Sequence, residues 1–596
     1  MLKFPYGISD FYKLITEGYV YIDRTAWIPQ LEDAGSHLVC LRPRRFGKSL
    51  LLSMLENYYD VAKADKFANV FGSLAISKNP TPKHHQYFVL KWDFSTVDPS
   101  GEPEEIKQAL YHCLNGRIEN FAARYQPYLS RSIQIAPTDA LASFQSLLTA
   151  VQQTPYQLYL LIDEYDNFAN EMMMGRKNLD QSRYKALLSG EGSLKVLFKA
   201  IKAASSGQGL DRVFITGVSP VVLSDLTSGY NIAKNLSPAS TFNAVCGFSE
   251  SEVRDLLTQV GKERAFPAAK VSEALTMMRT FYNGYCFGVG AEAGELLYNP
   301  TLTFYFMEVF QREGQYPRQM LDSNLTLDRG KLAYVARLPY GAQVIPAALD
   351  EAQPLSIEEL ADSFGVEQLM HPEKSLMFVA SLLYYLGILT LGGVTPLGKL
   401  RLKIPNVVVR KLYVEQIQQM LLPDFDKGEA QQAAETFYST GDLQPICDFI
   451  ERRYFKVFDN RDYRWTNELT VKTVFLTLLF NDLWYLMDSE PALQREYADL
   501  VMILRPDMRQ YQLLDLLLEF KDVSLQEVNL SGEQVRQLSS DEIKAFAPVQ
   551  QKFVASQTKL SGYREILEAA YGERLRLHSY TVVAVGFDRL VWEEVR

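Results

Sequence analysis

Gly47, Lys48 and Ser49 stand together in "LVCLRPRRFGKSLL", residues 38 to 51. A glycine, a lysine and a hydroxyl in that order suit a triphosphate. The glycine lets the backbone approach the phosphates, the lysine reaches the β and γ groups, and the serine hydroxyl ligates Mg²⁺. Arg42 occupies the place of the first glycine in the usual GxxxxGK(S/T) pattern, so the motif alone leaves a basic surface turn as the alternative. Two further stretches bear on that choice. "YQLYLLIDEYDN", residues 156 to 167, is an apolar run ending in Asp163 and Glu164. This is the Walker B pattern, in which the Asp holds the Mg²⁺ shell and the Glu orients the attacking water. "RVFITGVSP" ends with Thr216 and Ser219, polar residues where a sensor of the γ phosphate is expected.

A different constellation lies toward the C-terminus, in "NELTVKTVFLTLLF", "EYADLVMILRP" and "QLLDLLLEFKDV". Glu519 and Lys521 are two residues apart, hence on one strand face with Phe520 on the other. Asp499 opens an alternating segment, and the short link around "RPDMRQ" allows a hairpin that brings it beside Glu519. Two carboxylates bind a hard divalent cation through oxygen, and a neighbouring lysine can orient water for attack on phosphorus. Glu468 at a helix start could add a carboxylate, and Arg452, Arg453, Lys456, Arg461 and Arg464 could meet a phosphate backbone.

These residues need a scaffold of strands alternating with helices. "HLVCL", "YFVLKWDFS", "LLID" and "RVFIT" read as buried strands, "SLLLSMLENYYD" and "SLKVLFKAIKAA" as helices, which together imply a parallel sheet. Beyond Cys246 the pattern turns helical. Ser249 is expected to cap "ESEVRDLLTQV", and Ser356 with Glu359 matches a capping box. "KSLMFVASLLYYLG" reads as a helix stopped at Gly387. A hairpin turning at Gly392 and Gly393 follows, with Lys399, Arg401 and Lys403 alternating on its second strand, and the order suggests a winged helix. Residues 1–245 are read as a P-loop domain, 246–425 as a helical lid and winged-helix-like region, and 426–596 as a nuclease-like domain.

At 596 residues the chain exceeds one core, and 47% hydrophobic with 22% charged residues suits a well-packed protein. The net charge of −10 argues against nucleic acid bound along the whole length. Cys40, Cys113, Cys246, Cys286 and Cys447 are scattered without metal-ligand spacing, which fits a reducing cytoplasm. Neither a signal segment nor a membrane span is read, so a cytoplasmic location is expected.

Taken together, "FPYGISDFYKLITEGYVYIDRT", "RPRRFGKSLLLSML", "LLIDEYDN", "FITGVSP", "YNGYCFG", "LLYYLGILTL", "IPNVVVR" and "LLLEFK" resemble the prokaryotic AAA-ATPase-like family that ends in a PD-(D/E)XK nuclease domain. The resemblance runs over nearly the whole chain, and "RPRRFGKS" is similar to that family's form of the phosphate loop. It implies an α/β fold: a P-loop AAA-type domain, a helical and winged-helix middle, and a C-terminal restriction-endonuclease-like domain. It implies ATP and Mg²⁺ at Arg44, Arg45, Phe46, Gly47, Lys48, Ser49, Asp163 and Glu164. For the nuclease it implies Glu468, Asp499, Glu519 and Lys521, with Mg²⁺ or Mn²⁺ on Asp499 and Glu519. Gln557 and Tyr563 resemble the helix beyond the nuclease core. Relatives often carry Gly and Arg before the catalytic Asp, whereas "QREYAD" keeps Arg495 without the glycine. The expected activity is ATP binding and hydrolysis coupled to metal-dependent cleavage of nucleic acid, DNA before RNA, in a possible homo-oligomer. The alternative is a nucleotide-switched DNA- or partner-binding protein with an inert nuclease-like domain.

Overall fold

The computed structural model describes residues 1–98, 102–167, 192–220, 230–291, 295–321, 327–338, 340–349, 354–361, 364, 375–421, 427–459, 468–488 and 499–595. Strands β1 (His37–Leu41), β2 (Tyr87–Asp93), β3 (Gln157–Asp163), β4 (Leu210–Gly217) and β5 (Lys234–Asn235) form a parallel sheet in the order β2-β3-β4-β1-β5. Leu158 to Asp163 are all buried, as a parallel strand covered on both faces requires. The covering helices are α1 (Lys48–Tyr59), α2 (Pro103–Tyr125), α3 (Ala140–Val151) and α4 (Ser193–Ala204). The carboxyl ends of β1, β4 and β3 therefore lie side by side, with the "FGKS" turn above β1 and Asp163 two strands away.

A helical layer follows. Ser249 caps α5 (Glu250–Glu263) in a reciprocal box with Glu252, as the sequence predicts. α6 (Ala268–Tyr282) packs on it, and the short strands β6 (Phe248–Ser249) and β7 (Leu297–Tyr298) pair before α7 (Pro300–Glu313). Asn299 caps α7 through the backbone N–H of Leu302, and Gly314, at φ 68°, ends it.

The next module departs from two expectations. Ser356 opens no helix: it lies on β8 (Leu355–Ile357), opposite Arg401, and its hydroxyl donates to Pro354 O. Strand pairing overrides the local S-x-x-E signal. α8 (Leu376–Tyr385) does end before Gly387, at φ 75°. In the hairpin, Gly392 and Gly393 lie inside β9 (Thr390–Val394), and the chain turns at residues 395–399, where Thr395 N–H donates to Lys399 O and Gly398 N–H to Thr395 O. A Cβ on Gly392 would stand 3.2 Å from the Lys403 stem on β10 (Leu400–Lys403), so the glycine serves a close approach. The sheet order is β8-β10-β9. Lys399 is paired with Glu358 at 2.6 Å.

After α9 (Val407–Leu421) and α10 (Glu468–Leu479), a second five-stranded sheet is built from β11 (Tyr485–Asp488), β12 (Leu500–Leu504), β13 (Asp515–Val523), β14 (Leu577–Val585) and β15 (Arg589–Val595), in that order. β13 and β14 are parallel, with α11 (Ala547–Tyr571) crossing over between them; the other pairs are antiparallel. β12 begins at Leu500 and is buried at all five positions, so it does not alternate as expected. Arg505, fully buried just after β12, donates to Pro317 O (3.0 Å) and Arg318 O (3.3 Å) beyond α7 and to Asp482 O (3.2 Å). The guanidinium thus joins the helical layer to the second sheet.

Candidate nucleotide cleft and acid-lysine centre

The turn from β1 to α1 is shaped by two left-handed residues, Arg45 at φ 69° and Gly47 at φ 90°. Gly47 pays little for this conformation, whereas a residue with a Cβ is strained there. α1 starts at Lys48 with Ser49 in its first turn, so free N–H groups and the helix dipole face any anion held by the turn. Lys48 is 4% exposed and its Nζ donates to Pro43 O at 3.1 Å.

Arg42, in place of the usual glycine, points away from the turn. It is fully buried and donates to Leu41 O (2.9 Å), Ser237 O (3.2 Å), Phe242 O (2.7 Å) and Asn243 O (3.4 Å). Its guanidinium lies 4.6 Å from the centre of the Phe287 ring. Phe46 is buried edge-on against Tyr285 and Phe287, at 4.9 and 5.1 Å between ring centres. Arg42 and Phe46 thus lash the turn to the "YNGYCFG" segment, and Arg44 donates to Asn167 Oδ1 at 2.6 Å.

Across the sheet, Thr216 Oγ1 donates to Asp163 Oδ1 at 2.6 Å. Glu164, at φ 48°, lines the same cleft as Lys48 and Ser49. Burial raises its carboxyl above the ordinary range, opposed by the charges of Lys48 and Arg44. Ser219 is turned elsewhere: its N–H and Oγ both donate to Asp166 Oδ2, at 2.7 and 2.9 Å. Asp166, which also accepts from Val218 N–H at 3.1 Å, is a buried acid that no motif singles out. Arg212 is also structural, donating to Gly35 O at 2.6 Å with 3% exposure.

The cleft, open to solvent, is walled by Pro5, Gly7, Ile8, Ser9, Tyr21, Arg24, the β1–α1 turn, Cys246 and Gly247, with Pro300, Thr301 and Phe304 of α7. Arg24 closes one side through a two-pronged pair with Glu252, at 2.6 and 2.9 Å, and a 2.6 Å bond to Gly247 O. Ser49 and Asp163, hydroxyl and carboxylate, are a fitting donor set for Mg²⁺.

In the second sheet Leu500 pairs with Leu518, so Asp499 falls opposite Glu519. Asp499 Oδ2 accepts the N–H of Phe520 at 2.9 Å. Glu519 is fully buried; its Oε1 accepts from Lys521 at 2.9 Å and from Lys559 of α11 at 2.6 Å. Lys472 of α10 stands 3.5 Å from Asp499 Oδ1. Burial and then the charge of Asp499 push the Glu519 carboxyl up, against the two lysines. Glu519 Oε2 is buried without a hydrogen-bond partner, as is the hydroxyl of Thr581, its register partner on β14. An orphaned carboxylate oxygen beside a second acid fits a hard cation. Among the described residues no group of three or more His, Cys, Asp or Glu forms a metal cluster.

Glu468 lies at the start of α10, one turn before Lys472, but its side chain is outside the described residues, as are Arg461, Arg464, Arg495 and the side chain of Lys456. Arg452 and Arg453 pair with Glu429. Gln557 is exposed on α11 and Tyr563 buried. Lys559 and Lys472 carried no motif signal, because each arrives from a helix distant in sequence.

Among the described residues no helix is long and apolar enough to cross a membrane. A solved structure of the Aeropyrum pernix ORC2 protein (ADPNP-ADP complexes) aligns with 12% identity over 68% of this chain and 98% of its own, at a TM-score of 0.32. The Aeropyrum pernix ORC1 protein in complex with DNA aligns with 13% identity over 67% and 95%, at 0.26. Scores this low carry no argument. An uncharacterized protein in the vnfD 5′ region of Azotobacter chroococcum mcd 1 is 27% identical over 436 residues, 71% of each chain. Residues 5–227 match the model of the AAA-ATPase-like family, described as predicted AAA-ATPase, and that stretch contains the β1 turn, Asp163, Glu164 and Thr216.

Proposed function

We propose that the chain binds and hydrolyses ATP in the N-terminal cleft and cleaves nucleic-acid phosphodiesters at the acid-lysine centre, with DNA as the expected substrate. The single observation that carries the second half is that Asp499 lies opposite Glu519 in register, with Lys521 on Glu519 Oε1 and Glu519 Oε2 left without a partner.

In the cleft, the α1 N-terminus and Lys48 bind the phosphates, and Ser49 with Asp163 would hold Mg²⁺. Thr216 fixes the Asp163 carboxylate through its 2.6 Å bond. Glu164, held in a rare backbone conformation, orients water toward the terminal phosphorus. At the other centre Asp499 and Glu519 would hold a divalent cation, which when bound screens the phosphate charge and acidifies water. Lys521 stays within 2.9 Å of Glu519 Oε1, where its ammonium can orient the attacking water.

Plasmid, single-stranded DNA and RNA incubated with the full chain and Mg²⁺ or Mn²⁺, with and without ATP, test this reading. The parent is expected to cut, and Asp499→Asn and Lys521→Ala to lose cutting while ATP turnover persists. An Asp499→Asn protein that cuts as fast as the parent overturns the nuclease half. The lysines on Glu519 Oε1 favour one rival, a nucleotide-switched binding protein with an inert centre. That rival predicts no Mn²⁺ binding that depends on Asp499.

A further inference from the structure

Three lysines face the two acids of the centre, yet they are held differently. Lys521 shares the strand of Glu519, and its Nζ also donates to Phe520 O at 2.9 Å, which tethers it locally. Lys472 sits at 3.5 Å from Asp499 Oδ1, beyond close contact. Lys559 reaches in from α11 and makes the shortest bond, 2.6 Å to Glu519 Oε1, with its side chain 35% exposed. The same ammonium already lies 5.7 Å from the centre of the Tyr563 ring, one turn along α11, a contact that does not depend on Glu519.

We propose that Lys559 gates cation loading: its ammonium occupies the carboxylate oxygen that the divalent ion must take, and loading requires it to move away. The inference rests on the reading of Asp499 and Glu519 as a cation site. Three ammoniums against two carboxylates leave the cluster net positive, and a dication is repelled by each ammonium that stays. Glu519 Oε2 has no hydrogen-bond partner to displace, but it is buried, so an ion reaches the carboxylate past the groups that cover it. A second contact through Oε1 competes with both Lys559 and Lys521, of which Lys521 keeps its bond to Phe520 O on its own strand.

Calorimetric titration of the full chain with Mn²⁺, without nucleotide, tests the gate, using the heat lost in Asp499→Asn to identify binding at this centre. Lys559→Met keeps the aliphatic stem and removes the charge. It is expected to bind Mn²⁺ roughly twofold to fivefold more tightly than the parent, the scale of a partly exposed ion pair. Lys559→Arg should restore parental or weaker binding. Unchanged far-ultraviolet circular dichroism and urea unfolding of the full chain certify that the variants fold. Asp499-dependent binding in Lys559→Met but not in the parent also supports the gate. Equal affinities in parent and Lys559→Met overturn the gate and leave the cation site standing. No Asp499-dependent binding in either protein overturns both.

Discussion

Thr216 Oγ1 donates a 2.6 Å hydrogen bond to Asp163 Oδ1, joining the carboxyl ends of the adjacent strands β4 and β3. Both side chains are buried, so the bond holds the carboxylate in one orientation. Thr216→Val keeps the shape and removes the donor. ATP turnover is expected to fall about tenfold, a loss near 1.4 kcal/mol, with ATP affinity changed by less than about threefold. Steady-state phosphate release and nucleotide titration check this, and an unaltered rate would remove Thr216 from the machinery.

Lys48 is poised at the α1 N-terminus with few competing partners. Lys48→Met is expected to weaken ATP binding by about a hundredfold, as loss of a charge-assisted phosphate contact implies. Fluorescent-nucleotide displacement measures it. Thermal unfolding of the nucleotide-free protein should barely change.

Arg42→Gly brings the turn closer to the common motif and is nevertheless expected to harm the protein. It strips the donor from the carbonyls of Ser237, Phe242 and Asn243 and leaves a void beside Phe287. A loss of about 3 kcal/mol follows from unsatisfied buried acceptors. Urea unfolding reads it directly; a variant as stable as the parent refutes the clamp.

The Arg24–Glu252 tie gives a pH dependence. Burial alone would raise the Glu252 carboxyl, but bonding to Arg24 and the charge of Arg24 bring it below its ordinary value. A folded-state value lower than the unfolded one stabilises at pH above the unfolded value and is lost as pH falls through the folded value. Acid unfolding should therefore begin at higher pH in Arg24→Met than in the parent, by a few tenths of a unit. Circular dichroism during acid titration checks the order of the two midpoints.

The strands of the first sheet were legible because continuous apolar runs between polar turns suit a sheet covered on both faces, as at Leu158 to Asp163. The meeting of Asp499 with Glu519 was legible because a short antiparallel link limits the register. Ser219 misled, since its hydroxyl is captured by Asp166, a contact set by how the chain leaves β3 and β4. Lys559 was hidden by 40 residues of separation from Glu519. Ser356 matched a helix cap locally, but pairing with Arg401 decided its structure. Gly392 and Gly393 signalled a turn but lie within β9, where Gly392 admits the Lys403 stem.

Arg505 bears on the order in which the protein is assembled. Its guanidinium pairs locally with Asp507 and Asp482 O, and takes its remaining acceptors from Pro317 and Arg318, which leave the ribosome well before it does. The last sheet is therefore completed against a helical layer that already exists, and its buried cation acquires all its acceptors only when that layer is docked. Severed at the junction and made alone, the C-terminal piece would keep its strands but carry a buried-type arginine into water, a site for sticking to the wrong neighbour.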